Sequence, residues 1–282
     1  NASIYRNRIY DLRNAGTSVS ATAPSQIAGI IIRSGTTAVT VFNNMISLGN
    51  GQTTNTAISG IQLNHGSTPD PIDNILYNSI NIEGTVTAGA QPSFGIFRGD
   101  YSATARTQTV NIKNNIFTNT RTGGTGKHYA IANNYGAVTS ATGWASNASN
   151  YNVLNGNAAT IGYWTADQTF AGWKSASASD ASSFSGIAIT FVNASAGDLH
   201  LNMGVTPTVL ESNGTVISGI TTDYDNDTRP GPAGSVNGGA FAPDLGADEF
   251  DGVYLDGNGP AISYALLTNT SSTSNRSFTP VT

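Results

Sequence analysis

Lys127, His128 and Tyr129 stand consecutively, with Arg98, Asp100, Arg106 and Arg121 upstream of them. A base, a phenol and several cations are the parts of a polysaccharide lyase. The base abstracts a proton beside a uronate carboxylate, and the cations neutralise that carboxylate. The spacing from Arg98 to this run is close to one period of an internal repeat, which could place the groups on one face. Composition argues the other way. Only 10% of the 282 residues are Asp, Glu, Lys or Arg, too few for a densely charged cleft. The expectation is that no residue is catalytic, with Lys127, His128, Tyr129 and Arg98 as the set an enzyme would use.

Asp223, Asp225 and Asp227 alternate, so in a tight loop three carboxylates could surround one hard cation such as calcium. Thr228 stands where an EF-hand loop has its turn glycine, and Gly234 where its bidentate glutamate belongs. The preferred reading is a turn whose Asp side chains cap backbone amides and pair with Arg229, so no cofactor is required and calcium is the cation to test. Asp244, Asp248 and Glu249 form a second acidic group, expected to hold Arg229 across the last coil and cap it. His65 and His200 stand apart, short of the convergent donors a metal site needs. Trp144, Tyr151, Tyr163, Trp164 and Trp173 cluster toward the end of the repeats. They read as an apolar lid in preference to a platform for sugar rings.

The elements that position these groups follow from self-similarity. Ile4-Tyr5-Arg6-Asn7-Arg8-Ile9 aligns with Val41-Phe42-Asn43-Asn44-Met45-Ile46, with Ile75-Leu76-Tyr77-Asn78-Ser79-Ile80 and with Ile112-Lys113-Asn114-Asn115-Ile116-Phe117. The template is apolar-x-x-Asn-x-apolar. Its Asn falls at 7, 44, 78 and 115, in steps of 37, 34 and 37, and Asn152 lies another 37 on. A second strand-like element alternates with it, at Gly29-Ile30, Gly60-Ile61, Gly95-Ile96 and Ala130-Ile131. Short β-branched strands with Gly- or Asn-rich corners bury their inward side chains only by stacking on neighbouring copies. The architecture this predicts is an all-β parallel β-helix. Asn7, Asn44, Asn78, Asn115 and Asn152 should occupy its corner, where Asn tolerates left-handed backbone and stacked amides bond from coil to coil.

The coils are assigned to 1–157, the last coils and a C-terminal cap of the same domain to 158–252, and a linker or the start of a further β module to 253–282. Residues 165–174 suggest a short helix with Phe170 and Trp173 on one face. The formal net charge of −5, without a basic stripe, argues against nucleic-acid binding. No run of 18 apolar residues is present, so membrane insertion is not expected. The absence of cysteine rules out disulfides and leaves the compartment open. The opening without Met and the strand-like start after 257 suggest that the chain is part of a longer polypeptide.

The order of motifs in the last third carries a resemblance. Thr169-Phe170-Ala171-Gly172-Trp173, Asp180-Ala181-Ser182-Ser183, Gly197-Asp198-Leu199-His200-Leu201, Asp223 to Pro230 and Pro243 to Glu249 follow one another. They resemble the closing region of secreted bacterial right-handed β-helix repeat proteins of the pectin-lyase-like superfamily, above all multi-module surface proteins of Bacteroidetes type. The resemblance implies a secreted or cell-surface location, with extracellular glycans or cell-surface partners and other modules of the same polypeptide as partners. Activity it leaves open, because this scaffold carries lyases, glycosidases, adhesins and passive stalks. The expectation is a non-catalytic stalk or adhesin first, and a polysaccharide lyase or glycoside hydrolase second.

Overall fold

The computed structural model describes residues 2–20, 23–33, 37–64, 72–101, 105–136, 144–157, 159–202, 208–231 and 241–251. His65 and the segment assigned to a linker or further module lie outside them. The chain is nearly all-β and forms a β-solenoid of about four turns.

Each full turn lays one strand on each of three parallel sheets. The first turn contributes β1 (Ala2–Tyr5), β2 (Arg8–Tyr10) and β3 (Gln26–Arg33), and the second β4 (Val39–Phe42), β5 (Met45–Leu48) and β6 (Ala57–Asn64). The third contributes β7 (Ile72–Leu76), β8 (Ser79–Ile82), the short β9 (Thr85–Val86) and β10 (Ser93–Arg98). The fourth contributes β11 (Thr109–Lys113), β12 (Ile116–Asn119), the short β13 (Thr122–Gly123) and β14 (His128–Asn133). β15 (Ser149–Asn150), β16 (Val153–Gly156) and β17 (Gly162–Trp164) add a last rung. Sheet I is β1-β4-β7-β11-β15, sheet II is β2-β5-β8-β12-β16, and sheet III is β3-β6-β10-β14-β17 with an antiparallel strand, β18 (Ala166–Gln168), at its end.

The two apolar positions of the repeat template face inward. Val41, Ile75 and Ile112 from sheet I meet Ile46, Ile80 and Phe117 from sheet II and the register-matched Ile30, Ile61, Ile96 and Ile131 of sheet III. Gly29, Gly60 and Gly95 stack in sheet III because space is lacking. A Cβ on Gly60 would strike the Ile80 side chain and the Gly95 carbonyl oxygen.

Between sheets I and II the chain turns over two residues, and here the structure corrects the expected corner. The left-handed residue is the one before each repeated Asn: Arg6, Asn43, Tyr77, Asn114 and Tyr151, with φ of 55°, 51°, 53°, 60° and 57°. The repeated Asn points inward instead. Asn7 Nδ2 donates to Asn44 Oδ1 at 2.9 Å, Asn44 to Asn78 at 2.9 Å, Asn78 to Asn115 at 3.0 Å and Asn115 to Asn152 at 3.0 Å. Each Oδ1 also accepts the backbone N–H of the preceding Asn in the column. The side chain needed for this ladder must sit inside, so the strained backbone falls to its neighbour. Asp180 ends the column: its Oδ1 accepts from Asn152 Nδ2 at 3.1 Å and its Oδ2 from Trp173 Nε1 at 2.7 Å.

Trp173 lies on α1 (Phe170–Ser177), which covers the last rung. Its ring packs edge to face against Trp144 and Trp164 at 5.7 and 5.8 Å. All three rings are buried, as an apolar lid requires. Beyond the lid, β19 (Phe191–Asn193) and β20 (Asp198–Leu201) form an antiparallel pair. Leu199 and Ala247 cover Met45, and Leu201, Leu210 and Leu245 cover Ile116 and Val153 on the outer face of sheet II. The C-terminal segments thus run along the flank of the solenoid as a strap.

Candidate functional site

A groove lies beside the strap. Asn81, Thr118 and Asn155 are register partners on β8, β12 and β16, and they face outward because Ile80, Phe117 and Leu154 face the core. Together with Glu83 and Thr120 they form the floor of a cleft of about 550 Å³ whose wall is the chain from Gly186 to Phe191. Thr118 Oγ1 donates to Asn81 Oδ1 at 2.8 Å, and Asn81 Nδ2 to Glu83 Oε2 at 3.1 Å. Asn155 fixes the wall by accepting from Gly186 N at 2.8 Å and donating to the Ile187 carbonyl at 2.5 Å. Among the described residues that line the cleft, Glu83 alone is ionisable. Amides and hydroxyls opposite Ile187, Ile189 and Phe191 suit a ligand with hydroxyls on one side and C–H bonds on the other. Asn81, Glu83 and Asn155 were not singled out from sequence. The signal was present, because Asn81, Thr118 and Asn155 each stand three residues after a ladder Asn.

The four residues of the lyase set are dispersed among three places. Lys127 Nζ and Tyr129 Oη bond the two oxygens of Asp167 on β18, at 2.7 and 2.6 Å. The Lys127 hydrogen bond holds Asp167 below the usual carboxylate range. Burial, reinforced by Asp167, raises the Tyr129 phenol far above its ordinary value. His128 turns to the other face of the strand, where its Nδ1 meets Ser93 Oγ at 2.8 Å, and burial lowers its pKa. Arg98 lies inside the solenoid, donating to Asn133 Oδ1 at 2.9 Å, with its guanidinium 6.0 Å from the Trp144 ring. Arg106 is paired with Asp100. Buried Arg121 donates to the carbonyls of Gln52, Gly49 and Glu83 at 2.9, 3.4 and 3.4 Å. Tyr163 joins Phe94, Phe97, Tyr101, Tyr129 and Tyr135 on the outer face of sheet III, apart from the three Trp.

The acidic groups sit in the strap. Asp223 is fully buried and its carboxylate is engaged by backbone: Oδ1 accepts from the amides of Asp225 and Asp227 at 2.9 and 2.8 Å, Oδ2 from that of Glu249 at 2.9 Å. This is the capped turn, and the Asp227 side chain points to solvent. Asp225 faces His200, whose Nε2 is 2.5 Å from Asp225 Oδ2 and whose Nδ1 is 2.5 Å from Asp198 Oδ1. Among the described residues, the set with metal-ligand spacing is His200, Asp225 and Asp248, one donor atom of each lying within 4.8 Å of the others. It shares only Asp225 with the alternating triad Asp223, Asp225 and Asp227. Burial opposes the charged His200 ring, but its Asp198 and Asp225 hydrogen bonds outweigh this and raise the pKa. Burial pushes Asp248 up to about 6.

Arg229 pairs with Glu249 at 2.9 Å, both side chains buried, and donates to the carbonyls of Asp244 and Gly246 at 3.0 and 3.2 Å. Its guanidinium stacks 4.2 Å over the Tyr77 ring of the third turn. The group that was expected to close the last coil therefore sits on the flank. The left-handed corner supplies its docking points: Asn43 and Asn114 donate to the Thr222 and Thr215 carbonyls, Arg6 to that of Asp223, and Tyr77 Oη to that of Thr215.

No protein-family model matches the chain, and neither does any curated protein or solved structure.

Proposed function

We propose that this chain is a non-catalytic β-helical module of a secreted or cell-surface bacterial protein, a stiff scaffold whose flank groove binds extracellular glycan. The observation that carries the reading is the groove lining, in which one carboxylate stands among amides and hydroxyls. Glycoside hydrolysis ordinarily needs two carboxylates flanking the bond, and a lyase needs a base beside cations. The motif order of the last third supports placing the module among the pectin-lyase-like proteins of bacterial surfaces.

A glycan-array screen with calcium and with chelator, followed by product analysis of each bound polysaccharide, tests this. The expected result is binding without cleavage. Ala188→Trp, which fills the groove, should weaken binding at least tenfold, while Lys127→Ala leaves it unchanged. Shortened or unsaturated products would overturn the proposal and direct attention to Lys127, Tyr129 and Asp167.

A further inference from the structure

His200 is held at both ring nitrogens by carboxylates, each at 2.5 Å. A neutral imidazole carries one N–H and one lone pair, so only one of these contacts can be an ordinary hydrogen bond. The other sets a nitrogen lone pair against a carboxylate oxygen unless a cation lies between them. A second proton would be such a cation, but even with the Arg8 charge acting on Asp198 it leaves three carboxylates, Asp198, Asp225 and Asp248, against two positive charges. A doubly charged ion on a neutral ring balances the group better, and partly buried carboxylates need such compensation.

The geometry assigns the divalent ion to one side of the ring. Asp198 is two residues from His200 on β20 and its Oδ1 also accepts the His200 backbone N–H at 3.3 Å, so it is placed to hold the Nδ1 proton. A carboxylate orienting a histidine through its second nitrogen is the usual support of a metal-bound imidazole. Nε2 then faces Asp225, a ring nitrogen and one oxygen each of Asp225 and Asp248 lie within 4.8 Å of one another, and Asp248 is itself fixed by the Leu201 backbone N–H at 3.1 Å. We propose that His200 Nε2 and one oxygen each of Asp225 and Asp248 bind a single divalent transition-metal ion of the zinc class. One nitrogen and two oxygens match zinc better than calcium, which prefers six to eight oxygens. Donors about 2.0–2.2 Å from the metal lie roughly 3.4 Å apart in tetrahedral geometry. The exposed Asp225 side chain can make that adjustment. The three ligands come from β20, the 223–227 turn and the 246–249 segment, so the ion would cross-link three stretches of the strap.

Isothermal titration of the untagged full chain with Zn²⁺, and separately with Ca²⁺, tests the site, with thermal unfolding as a second readout. Wild type should take up one Zn²⁺ per chain, prefer it to Ca²⁺, and unfold at higher temperature when loaded. Asp225→Asn, exposed and therefore tolerated by the fold, should weaken Zn²⁺ at least tenfold. Asp227→Asn, outside the set, should change nothing. Absence of stoichiometric Zn²⁺ binding, equal binding by Asp225→Asn, or Ca²⁺ preference that depends on Asp227 would each overturn the proposal.

Discussion

Along the inner corner, Asn44, Asn78, Asn115 and Asn152 bury their polar groups by bonding to one another, with exposed Asn7 as the first rung, and the column carries no charge until Asp180 ends it. Just outside the same corner, the strap buries Asp223, Arg229, Asp244 and Glu249. The difference lies in repetition. A repeated amide meets a copy of itself one coil away, donor to acceptor, and every rung is satisfied by the same bond. The strap passes once and has no copy to meet. Its turns must be fixed by carboxylates that each collect backbone amides and by one guanidinium that collects carbonyls. Neutral repetition suits the coils, and paired charge suits the single crossing.

The largest effect should come from breaking the ladder at its middle. Asn78→Leu removes the acceptor of the Asn44 amide and side chain, and the donor to the Val41 carbonyl and to Asn115. Each buried group left unsatisfied costs about 1–3 kcal/mol, so a loss of about 3–5 kcal/mol is expected, read as a fall in the urea midpoint of the whole solenoid. A loss below about 1 kcal/mol would mean that the ladder is not what the coils depend on.

Arg229→Met leaves Glu249 buried without its cation. Breaking one partner of a buried pair costs about 3–5 kcal/mol, but here the penalty should fall on the strap alone. Limited proteolysis should cut within 212–250 while the sheet signal in circular dichroism persists. Combining Arg229→Met with Glu249→Gln should restore part of the protection, because it removes the uncompensated charge. Global unfolding by Arg229→Met would erase the distinction between the two regions.

The same distinction was uneven in the sequence. The ladder Asn and the inward apolar positions were legible because a period of 34 to 37 residues repeats them in a shared frame. The backbone assignment at the corner was displaced by one residue, since Arg6, Asn43, Tyr77, Asn114 and Tyr151 share no side-chain type that would mark a left-handed position. The Arg229 pair was legible as composition, but its place was not. Nothing in local sequence says that Thr215, Arg229 and Gly246 come to lie against Tyr77 and Asn114. The site at His200 was invisible for the same reason, its three ligands coming from separate stretches. The groove floor was within reach, three residues beyond each ladder Asn.

Acidity offers a gentler way to separate the regions. Burial, and next the nearby Glu249 charge, push Asp244 up to about 8, while the amides of Phe250 and Ser212 and the Arg229 charge oppose the rise. The folded pKa lies above the ordinary carboxylate value, so the native state holds the proton longer than the unfolded chain does. That contribution is fully present below about pH 4 and is lost as pH rises through about 8. Strap protection against protease should therefore decline from pH 5 to pH 9. Asp244→Asn should reduce the decline, the remainder coming from Glu249 and Asp248, which burial also raises, to about 7 and about 6, and the uncharged ladder should contribute none of it.

The smallest change belongs to the ladder's first rung. Asn7 donates to Asn44 Oδ1 and to the Tyr5 carbonyl, but it lies on β1 and β2's open corner, at the edge of sheets I and II. Asn7→Ala removes one donor from Asn44 Oδ1, while the Asn7 backbone N–H, at 3.0 Å, still bonds the same oxygen. No acceptor is orphaned and water reaches the site, so the loss should be about 1 kcal/mol or less, against about 3–5 kcal/mol at Asn78. The ratio is the informative quantity. If Asn7→Ala costs as much as Asn78→Leu, the ladder behaves as one cooperative chain whose bonds strengthen each other along its length. If the two differ as expected, each rung is a local device, and its worth is set by how completely its neighbours exclude water.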